Sequence, residues 1–153
     1  MSGSGGHSGG SARNRDPFAP SKTVRVLIVE DDAVSYSLIS EIIQSIDSSI
    51  LVEWCQHVNE AEKFLSEKWV SLIISDYNLK GAQTGIDLWR AKLLTHPGIP
   101  FILITGENIE AIKRIEGQDV TFPYLLKKPL KVTATRFVLC EALRLIDDEF
   151  KVA

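Results

Sequence analysis

Hydrophobic residues along the chain fall into two alternating patterns. Short runs rich in valine and isoleucine have the continuous apolar character of strands buried on both faces of a sheet. Between them lie longer segments in which apolar residues recur every three or four positions, as on one face of a helix. The predicted strands are 24–29, 50–56, 71–75, 100–104 and 124–127, and the predicted helices are 32–46, 58–68, 85–94, 107–116 and 132–150.

Each predicted helix carries one apolar stripe that should face the sheet. In chain order the stripes are Val34, Leu38, Ile42 and Ile46; Ala61, Phe64 and Leu65; Ile86, Trp89 and Leu93; Ile109 and Ile112; and Leu139, Leu143, Ile146 and Phe150. Strands that alternate with helices in this way favour a parallel sheet covered on both faces. The predicted fold class is α/β, a doubly wound five-stranded parallel sheet, and right-handed crossovers leave only a few strand orders.

The first residues have a different composition. Residues 1–21 are rich in glycine and serine, contain two prolines and have almost no apolar side chains. Such a segment cannot bury enough surface to offset the entropy of ordering its backbone. We therefore expect a disordered tail or linker over residues 1–21 and one folded domain over residues 22–153.

Polar and charged side chains follow four of the predicted strands. They are Glu30, Asp31 and Asp32 after the first, Asp76 after the third, Thr105 and Gly106 after the fourth, and Lys127 and Lys128, before Pro129, after the fifth. Alone, Asp76 would be interpreted as a helix cap or a turn residue. Crowded carboxylates, however, repel one another unless a cation lies among them, and oxygen ligands favour Mg²⁺. With a hydroxyl and an ammonium group to hold an anion, the set is typical of a phosphoryl-transfer site at the carboxyl edge of the sheet.

Composition and charge narrow the class of protein. The 153 residues carry 17 basic and 20 acidic side chains, a net charge of −3, so we expect no direct binding to nucleic acid or to an anionic membrane. No apolar run approaches the ~18 residues of a membrane span, and no signal-peptide pattern is present. Cys55 and Cys140 lack metal-ligand spacing and are expected as reduced thiols, although one disulfide stays open. A cytoplasmic location is the expectation.

Four sequence motifs resemble those of the receiver domain of two-component response regulators. They are VLIVEDD, LIISDYN, ILITGEN and LLKKP, in this order at the ends of the first, third, fourth and fifth predicted strands. The resemblance, which covers about residues 23–150, implies a flavodoxin-like (βα)₅ fold with strand order 2-1-3-4-5. It also implies a stoichiometric phosphoacceptor instead of an enzyme, with weak self-catalysed phosphorylation and dephosphorylation. A histidine kinase or a histidine phosphotransfer protein would supply the phosphoryl group, and an unknown downstream protein would receive the signal.

The functional positions of that family correspond to particular residues of this chain. The resemblance implies that Asp76 is the phosphoacceptor, Thr105 the switch hydroxyl and Lys128 the lysine that pairs with the phosphoryl group; that Asp31, Asp76 and the backbone carbonyl of Asn78 ligate Mg²⁺, with Glu30 acting through water; and that Asn78 and Glu107 tune the phosphoryl lifetime. Phosphorylation would pull Thr105 inward and change the surface of the fourth helix, fifth strand and fifth helix. Homodimerisation through the fourth and fifth helices stays open.

The loop after Asp76 departs from the family pattern. Gly85, at the start of the third predicted helix, comes one residue later than is usual, and Lys80 stands where a proline is common. A reshaped loop beside the acceptor is therefore expected. Because the fifth predicted helix is the last predicted element, no attached effector domain is expected.

The lysine motif departs from the pattern as well. The family usually has an aromatic residue three positions before the conserved lysine, but Leu125 stands three before Lys128, and Tyr124 precedes it. Either Lys127 is the pairing lysine or the aromatic switch is missing. The following Pro129 favours Lys128.

Three other functions share some of these features. An EF-hand calcium loop has the spacing from Asp76 to Asp87, but Lys80 would occupy a ligand position and a strand precedes the loop. A phosphatase of the haloacid-dehalogenase type would need an acid two residues after the nucleophile, where this chain has Asn78. A receiver fold that binds proteins without being phosphorylated stays open, and phosphoryl uptake with Mg²⁺ would distinguish it.

Overall fold

The structure, a computed structural model, describes residues 23–152, with side chains described as far as Ile146. Its elements are β1 (Arg25–Val29), α1 (Ala33–Ile46), β2 (Leu51–Cys55), α2 (Val58–Glu67), β3 (Leu72–Asp76), α3 (Gly85–Thr95), β4 (Phe101–Thr105), α4 (Ile109–Glu116), β5 (Tyr124–Lys127) and α5 (Val132–Val152). The predicted α/β fold class is confirmed, and each element begins and ends within two residues of its prediction. The tail predicted over residues 1–21 lies outside the described residues.

The strands form one parallel sheet in the order β2-β1-β3-β4-β5, as the resemblance implied. Every residue of the two strands β3 and β4 is buried, which fits their uninterrupted apolar sequences. The pairs nearest the carboxyl edge are Val29 with Ser75, Asp76 with Ile104, and Thr105 with Lys127. This register brings the ends of β1, β3, β4 and β5 to the same edge of the sheet.

Two hydrophobic clusters cover the two faces of the sheet. Alternate strand residues point to opposite faces, so Leu27 and Ile73 pack with α2, α3 and α4, whereas Ile28 and Ile74 pack with α1 and α5. Among residues 23–152, no helix is long and apolar enough to cross a lipid bilayer.

The predicted stripes of two helices were wrong at one position each. Val34 is 77% exposed, because a strict spacing of four drifts by about 40° per step around a helix of 3.6 residues per turn; the buried residues of α1 are Ile39, Ile42 and Ile43. On α3, Leu93 is 42% exposed and Lys92 is buried in its place. The stem of Lys92 is aliphatic, and its ammonium group donates to the carbonyl of Pro97 beyond the helix end. The side chain of Phe150 lies outside the described part.

Both cysteines are free thiols, with Cys55 buried at the end of β2 and Cys140 exposed on α5. Burial, and after it the charges of two nearby glutamates, raises the pKa of Cys55 to about 11. At about pH 8 this leaves roughly 100-fold less thiolate at Cys55 than at an ordinary cysteine. We expect Cys140 alone to react rapidly with a thiol reagent, and Cys140→Ser to remove that fast phase. Fast modification of both thiols in the folded protein would contradict the burial of Cys55.

Candidate functional site

Three carboxylates meet at the carboxyl edge of the sheet. Glu30 and Asp31 directly follow β1, and Asp76 is the last residue of β3. One carboxylate oxygen from each of these residues lies within 4.8 Å of the others. Because Glu30 is fully buried and Asp76 is only 3% exposed, water screens their mutual repulsion poorly.

One oxygen of the buried Glu30 carboxylate has no hydrogen bond. Its Oε1 accepts a hydrogen bond from the Asp32 backbone N–H at 3.0 Å. Its Oε2 is also buried and has no hydrogen-bond donor, although the ammonium nitrogen of Lys128 lies 3.3 Å away as an ion pair. Burial, and after it the charge of Asp76, raises the pKa of Glu30 to about 7. A divalent cation, or water bound to it, would supply the missing partner and reduce the repulsion.

Lys128 places its ammonium group among these acids. Its Nζ lies 2.7 Å from Asp76 Oδ2 and 3.4 Å from Glu30 Oε1. Its backbone N–H donates to the Thr105 carbonyl at 2.9 Å, which fixes the residue just beyond β5. Burial lowers the pKa of Lys128, but the interactions with Asp76 and Glu30 outweigh burial and the pKa is raised overall. Of the two neighbouring lysines, Lys128 therefore lies beside Asp76, whereas Lys127 is exposed.

Thr105 connects the edge of the sheet to helix α4. It is the last residue of β4 and is fully buried. Its hydroxyl oxygen accepts a hydrogen bond from the Glu107 backbone N–H at 2.8 Å. None of the described contacts joins this hydroxyl to Asp76. In this structure the Thr105 side chain therefore holds the loop that leads into α4.

The β3–α3 loop contacts two of the acids through its backbone. The Asn78 N–H donates to Asp76 Oδ1 at 3.3 Å, and the Lys80 N–H donates to Asp31 Oδ2 at 3.1 Å. A proline at position 80 would have no N–H. Because Lys80 stands where a proline is common in the family, the loop gains a backbone hydrogen bond to the acidic cluster.

Gly85 allows α3 to begin directly against Asp76. A Cβ at position 85 would overlap the carbonyl oxygen of Asp76, and the Gly85 N–H donates to the Tyr77 carbonyl at 3.0 Å. The helix cap itself is Thr84, which forms a reciprocal capping box with Asp87. Because Thr84 caps α3, the helix-cap interpretation of Asp76 is wrong.

The close approach at Gly85 has a measurable cost when a methyl group is added. We expect Gly85→Ala to lower the free energy of unfolding by about 2–3 kcal/mol, because a backbone carbonyl cannot move aside as a flexible side chain does. Gly98→Ala is the matched control, since no atom lies within 4 Å of a Cβ at that position. Urea unfolding compares the two; equal stabilities would show that α3 does not pack against Asp76 as described.

Leu125 occupies the place of the aromatic residue that is common in the family. Leu125 packs in the cluster with α2, α3 and α4, whereas Tyr124 packs on the opposite face with α1 and α5. Since neighbouring strand residues point to opposite faces, the ring of Tyr124 does not take the place of the missing aromatic side chain.

The sequence pattern did not predict three contacts that aromatic side chains make near this edge. The indole N–H of Trp54 donates to the Glu30 carbonyl at 2.7 Å, and Tyr36 stacks on Trp54 with ring centroids 4.2 Å apart. The hydroxyl of Tyr77, directly after β3, donates to Glu116 at the end of α4 at 3.0 Å. The bond from Trp54 to Glu30 depends on the register of β2 against β1, and the only sequence signal for the bond from Tyr77 to Glu116 was the position of Tyr77 directly after Asp76.

A parallel sheet in the order 2-1-3-4-5, with an acidic cluster and a lysine at its carboxyl edge, defines a receiver-type α/β domain. The family described as the response regulator receiver domain matches residues 26–136. The chain belongs to this family.

Solved structures share the fold at low sequence identity. The chemotaxis response regulator CheY4 of Vibrio cholerae is 24% identical, with 78% of this chain and 98% of that one covered and a TM-score of 0.67. The REC domain of the PhyR response regulator of Erythrobacter litoralis is 22% identical, with coverages of 79% and 90% and a TM-score of 0.66. For PhyR from Brucella abortus the identity is 20%, the coverages are 83% and 50%, and the TM-score is 0.67; this chain spans half of that longer protein. No curated protein sequence matches the chain.

Proposed function

We propose that this receiver domain accepts a phosphoryl group on Asp76 from a histidine kinase or a histidine phosphotransfer protein. The observation that carries the proposal is the 2.7 Å ion pair between Asp76 and Lys128 within a cluster of three carboxylates. A structural aspartate paired with a lysine would gain nothing from two further acids, because burying like charges is costly. A site for a divalent cation and a phosphoryl group explains all four side chains.

Mg²⁺ is the cation that this set of oxygens fits. Asp31, Asp76 and the backbone carbonyl of Asn78 would ligate it, and Glu30 would act through a bound water. The buried Glu30 Oε2 without a hydrogen bond supports this assignment. When bound, Mg²⁺ would offset the negative charge of the acids and of the phosphoryl oxygens.

Phosphoryl transfer forms one bond and breaks one. A carboxylate oxygen of Asp76 attacks the phosphorus of a phosphohistidine, and the leaving imidazole nitrogen keeps the electrons of the broken P–N bond. The ammonium of Lys128, already at the carboxylate, pairs with a phosphoryl oxygen, and the Thr105 hydroxyl donates to another. Each chain accepts one phosphoryl group and is therefore a stoichiometric acceptor. Slow hydrolysis of the acyl phosphate by water then restores Asp76.

The signal would leave through the surface formed by α4, β5 and α5. Phosphorylation adds nearly two negative charges at Asp76, and a Thr105 hydroxyl drawn toward them gives up its bond with Glu107. Four large apolar side chains of α4 and α5 are exposed, Ile115 at 75%, Phe137 at 67%, Val132 at 53% and Leu145 at 49%, which supports a protein partner. A coupling free energy of about 1–3 kcal/mol between phosphorylation and partner binding would change the affinity for the partner roughly 5- to 150-fold.

The downstream partner is proposed to be a protein. PhyR from Bartonella quintana, another structural neighbour, is described as an anti-anti-sigma factor, and a protein output of that kind fits the apolar side chains on α4 and α5. The net charge of −3 argues against direct nucleic-acid binding. We also propose a cytoplasmic location, because that is where a histidine kinase would supply the phosphoryl group. The same surface could pair two copies of the chain, which sedimentation with and without phosphorylation would reveal.

Phosphoryl uptake tests the proposal. Incubation with a small phosphoryl donor and Mg²⁺ should add one phosphoryl group per chain in intact-mass spectra, a chelator should prevent this, and hydroxylamine should remove the group. Absence of uptake would favour the alternative, a receiver-like module that binds proteins without phosphorylation. Leu125 is the observation that favours the alternative, because it replaces the aromatic residue of the family's switch.

A further inference from the structure

Helix α4 is held mainly at its two ends. Of its eight residues only Ile112 is buried, four are half-buried and three are exposed, with Ile109 as the half-buried apolar residue that packs on the core. A helix of this length has little stability of its own in water. The contacts at its ends therefore decide where it lies.

The N-terminal end of α4 depends on one buried hydroxyl. The Thr105 side chain accepts from the Glu107 N–H at 2.8 Å, and Asn108 caps the helix by accepting from the Glu110 N–H. The cap moves with the helix, so the bond between Thr105 and Glu107 is the hydrogen bond that ties this end to the sheet, beside the packing of Ile109 against the core.

The C-terminal end of α4 is fastened to two other elements. The Tyr77 hydroxyl donates to Glu116 Oε1 at 3.0 Å. From α3, Arg90 Nη2 donates to the Glu116 backbone carbonyl at 2.7 Å, and the same guanidinium pairs with Asp119 through two hydrogen bonds. An arginine at the carbonyl end of a helix also interacts favourably with the helix dipole.

Tyr77 is itself firmly placed. It directly follows Asp76, its backbone N–H donates to the Ile104 carbonyl at 2.8 Å, and it is 6% exposed. Burial, and after it the hydrogen bond to Glu116, raises the pKa of Tyr77 to about 12. An ordinary tyrosine hydroxyl is protonated at neutral pH, so this one can donate to the Glu116 carboxylate 3.0 Å away.

We propose that Tyr77 and Arg90 anchor the C-terminal end of α4, so that α4 pivots about Glu116 when Thr105 releases Glu107. Tyr77 is a positioning residue, because it holds the helix that responds and does not touch the reacting atoms. The anchor is a property of the unphosphorylated protein. The pivot rests on the proposed phosphorylation of Asp76.

Hydrogen exchange of the full chain without a phosphoryl donor tests the anchor. We expect Tyr77→Phe to speed exchange of the Ile112 and Gly117 amides about three- to tenfold, the scale of one lost hydrogen bond. Tyr36→Phe, on the opposite face of the sheet, is the matched control and should leave these amides unchanged. Glu116→Gln keeps an oxygen that can accept from Tyr77 and should stay within about twofold of the parent. Unchanged exchange in Tyr77→Phe would overturn the anchor.

Amide chemical shifts with Mg²⁺ and beryllofluoride, a phosphoryl mimic, test the pivot. In the parent protein we expect large changes at Glu107 to Glu110 and small ones at Glu116 to Asp119; in Tyr77→Phe both ends should change. Equal changes at both ends of the parent would refute the pivot. A parent protein in which beryllofluoride changes no amide would refute the proposed phosphorylation, and the exchange comparison would still decide the anchor.

Discussion

Asp76→Asn is expected to abolish phosphoryl uptake, with a fall of at least about 1000-fold, the scale seen when a nucleophile is removed. The amide oxygen carries no full negative charge to attack phosphorus. The substitution also removes the negative charge from a ligand of the proposed Mg²⁺ site and from the ion pair with Lys128, whose ammonium lies 2.7 Å from Asp76 Oδ2. Intact-mass spectra after incubation with donor and Mg²⁺ measure the loss.

A second Asp→Asn variant shows whether the loss of uptake is specific to Asp76 or follows the removal of any carboxylate. Asp47→Asn removes a carboxylate from the surface turn after α1, far along the chain from the site, and keeps an oxygen to accept from Ser49. This variant should take up the phosphoryl group to the same extent as the parent protein. Far-ultraviolet circular dichroism should show that Asp76→Asn is folded. Continued uptake by a folded Asp76→Asn protein would place the acceptor elsewhere.

Lys128→Ala is expected to slow phosphoryl uptake by about 100-fold, the cost of removing one fixed group that stabilises developing negative charge. The ammonium contacts both Asp76 and Glu30. Without it, the incoming phosphoryl oxygens would meet the negative charge of the acids without a counter-charge. Rates measured at saturating Mg²⁺ separate this effect from weaker metal binding.

Lys127→Ala is the matched control for the neighbouring lysine. Lys127 pairs with Thr105 in the sheet through its backbone, and its side chain is exposed. Its removal should leave the uptake rate within about twofold, because exposed charges are screened by water and salt. The opposite ranking of the two variants would assign phosphoryl pairing to Lys127.

The sequence predicted the fold well because buried parallel strands have a distinct pattern. The apolar runs that became β3 and β4 have every residue buried, so their type and place were clear. Helix faces were predicted less well. Val34 was assigned to the apolar stripe by a strict spacing of four, which drifts around the helix and leaves the residue exposed. At Leu93 the buried position is taken by Lys92, whose aliphatic stem a pattern of apolar residues does not count.

The site was predictable where it depends on strand ends. Glu30, Asp76, Thr105 and Lys128 each stand at or just beyond the carboxyl end of a strand, and parallel strands bring such ends together. Contacts between distant segments were not predictable. The bond from Trp54 to Glu30 needs the register of an edge strand, and the bond from Tyr77 to Glu116 needs the position of α4.

A crystal structure with Mg²⁺ and beryllofluoride tests the central claim most directly. We predict beryllium bonded to a carboxylate oxygen of Asp76, fluorine atoms within hydrogen-bond reach of Lys128 Nζ and Thr105 Oγ1, and Mg²⁺ held beside Asp31. An unmodified Asp76, with Thr105 still bonded to Glu107 and no metal among the acids, would contradict the claim that this edge of the sheet is a phosphoryl-accepting site.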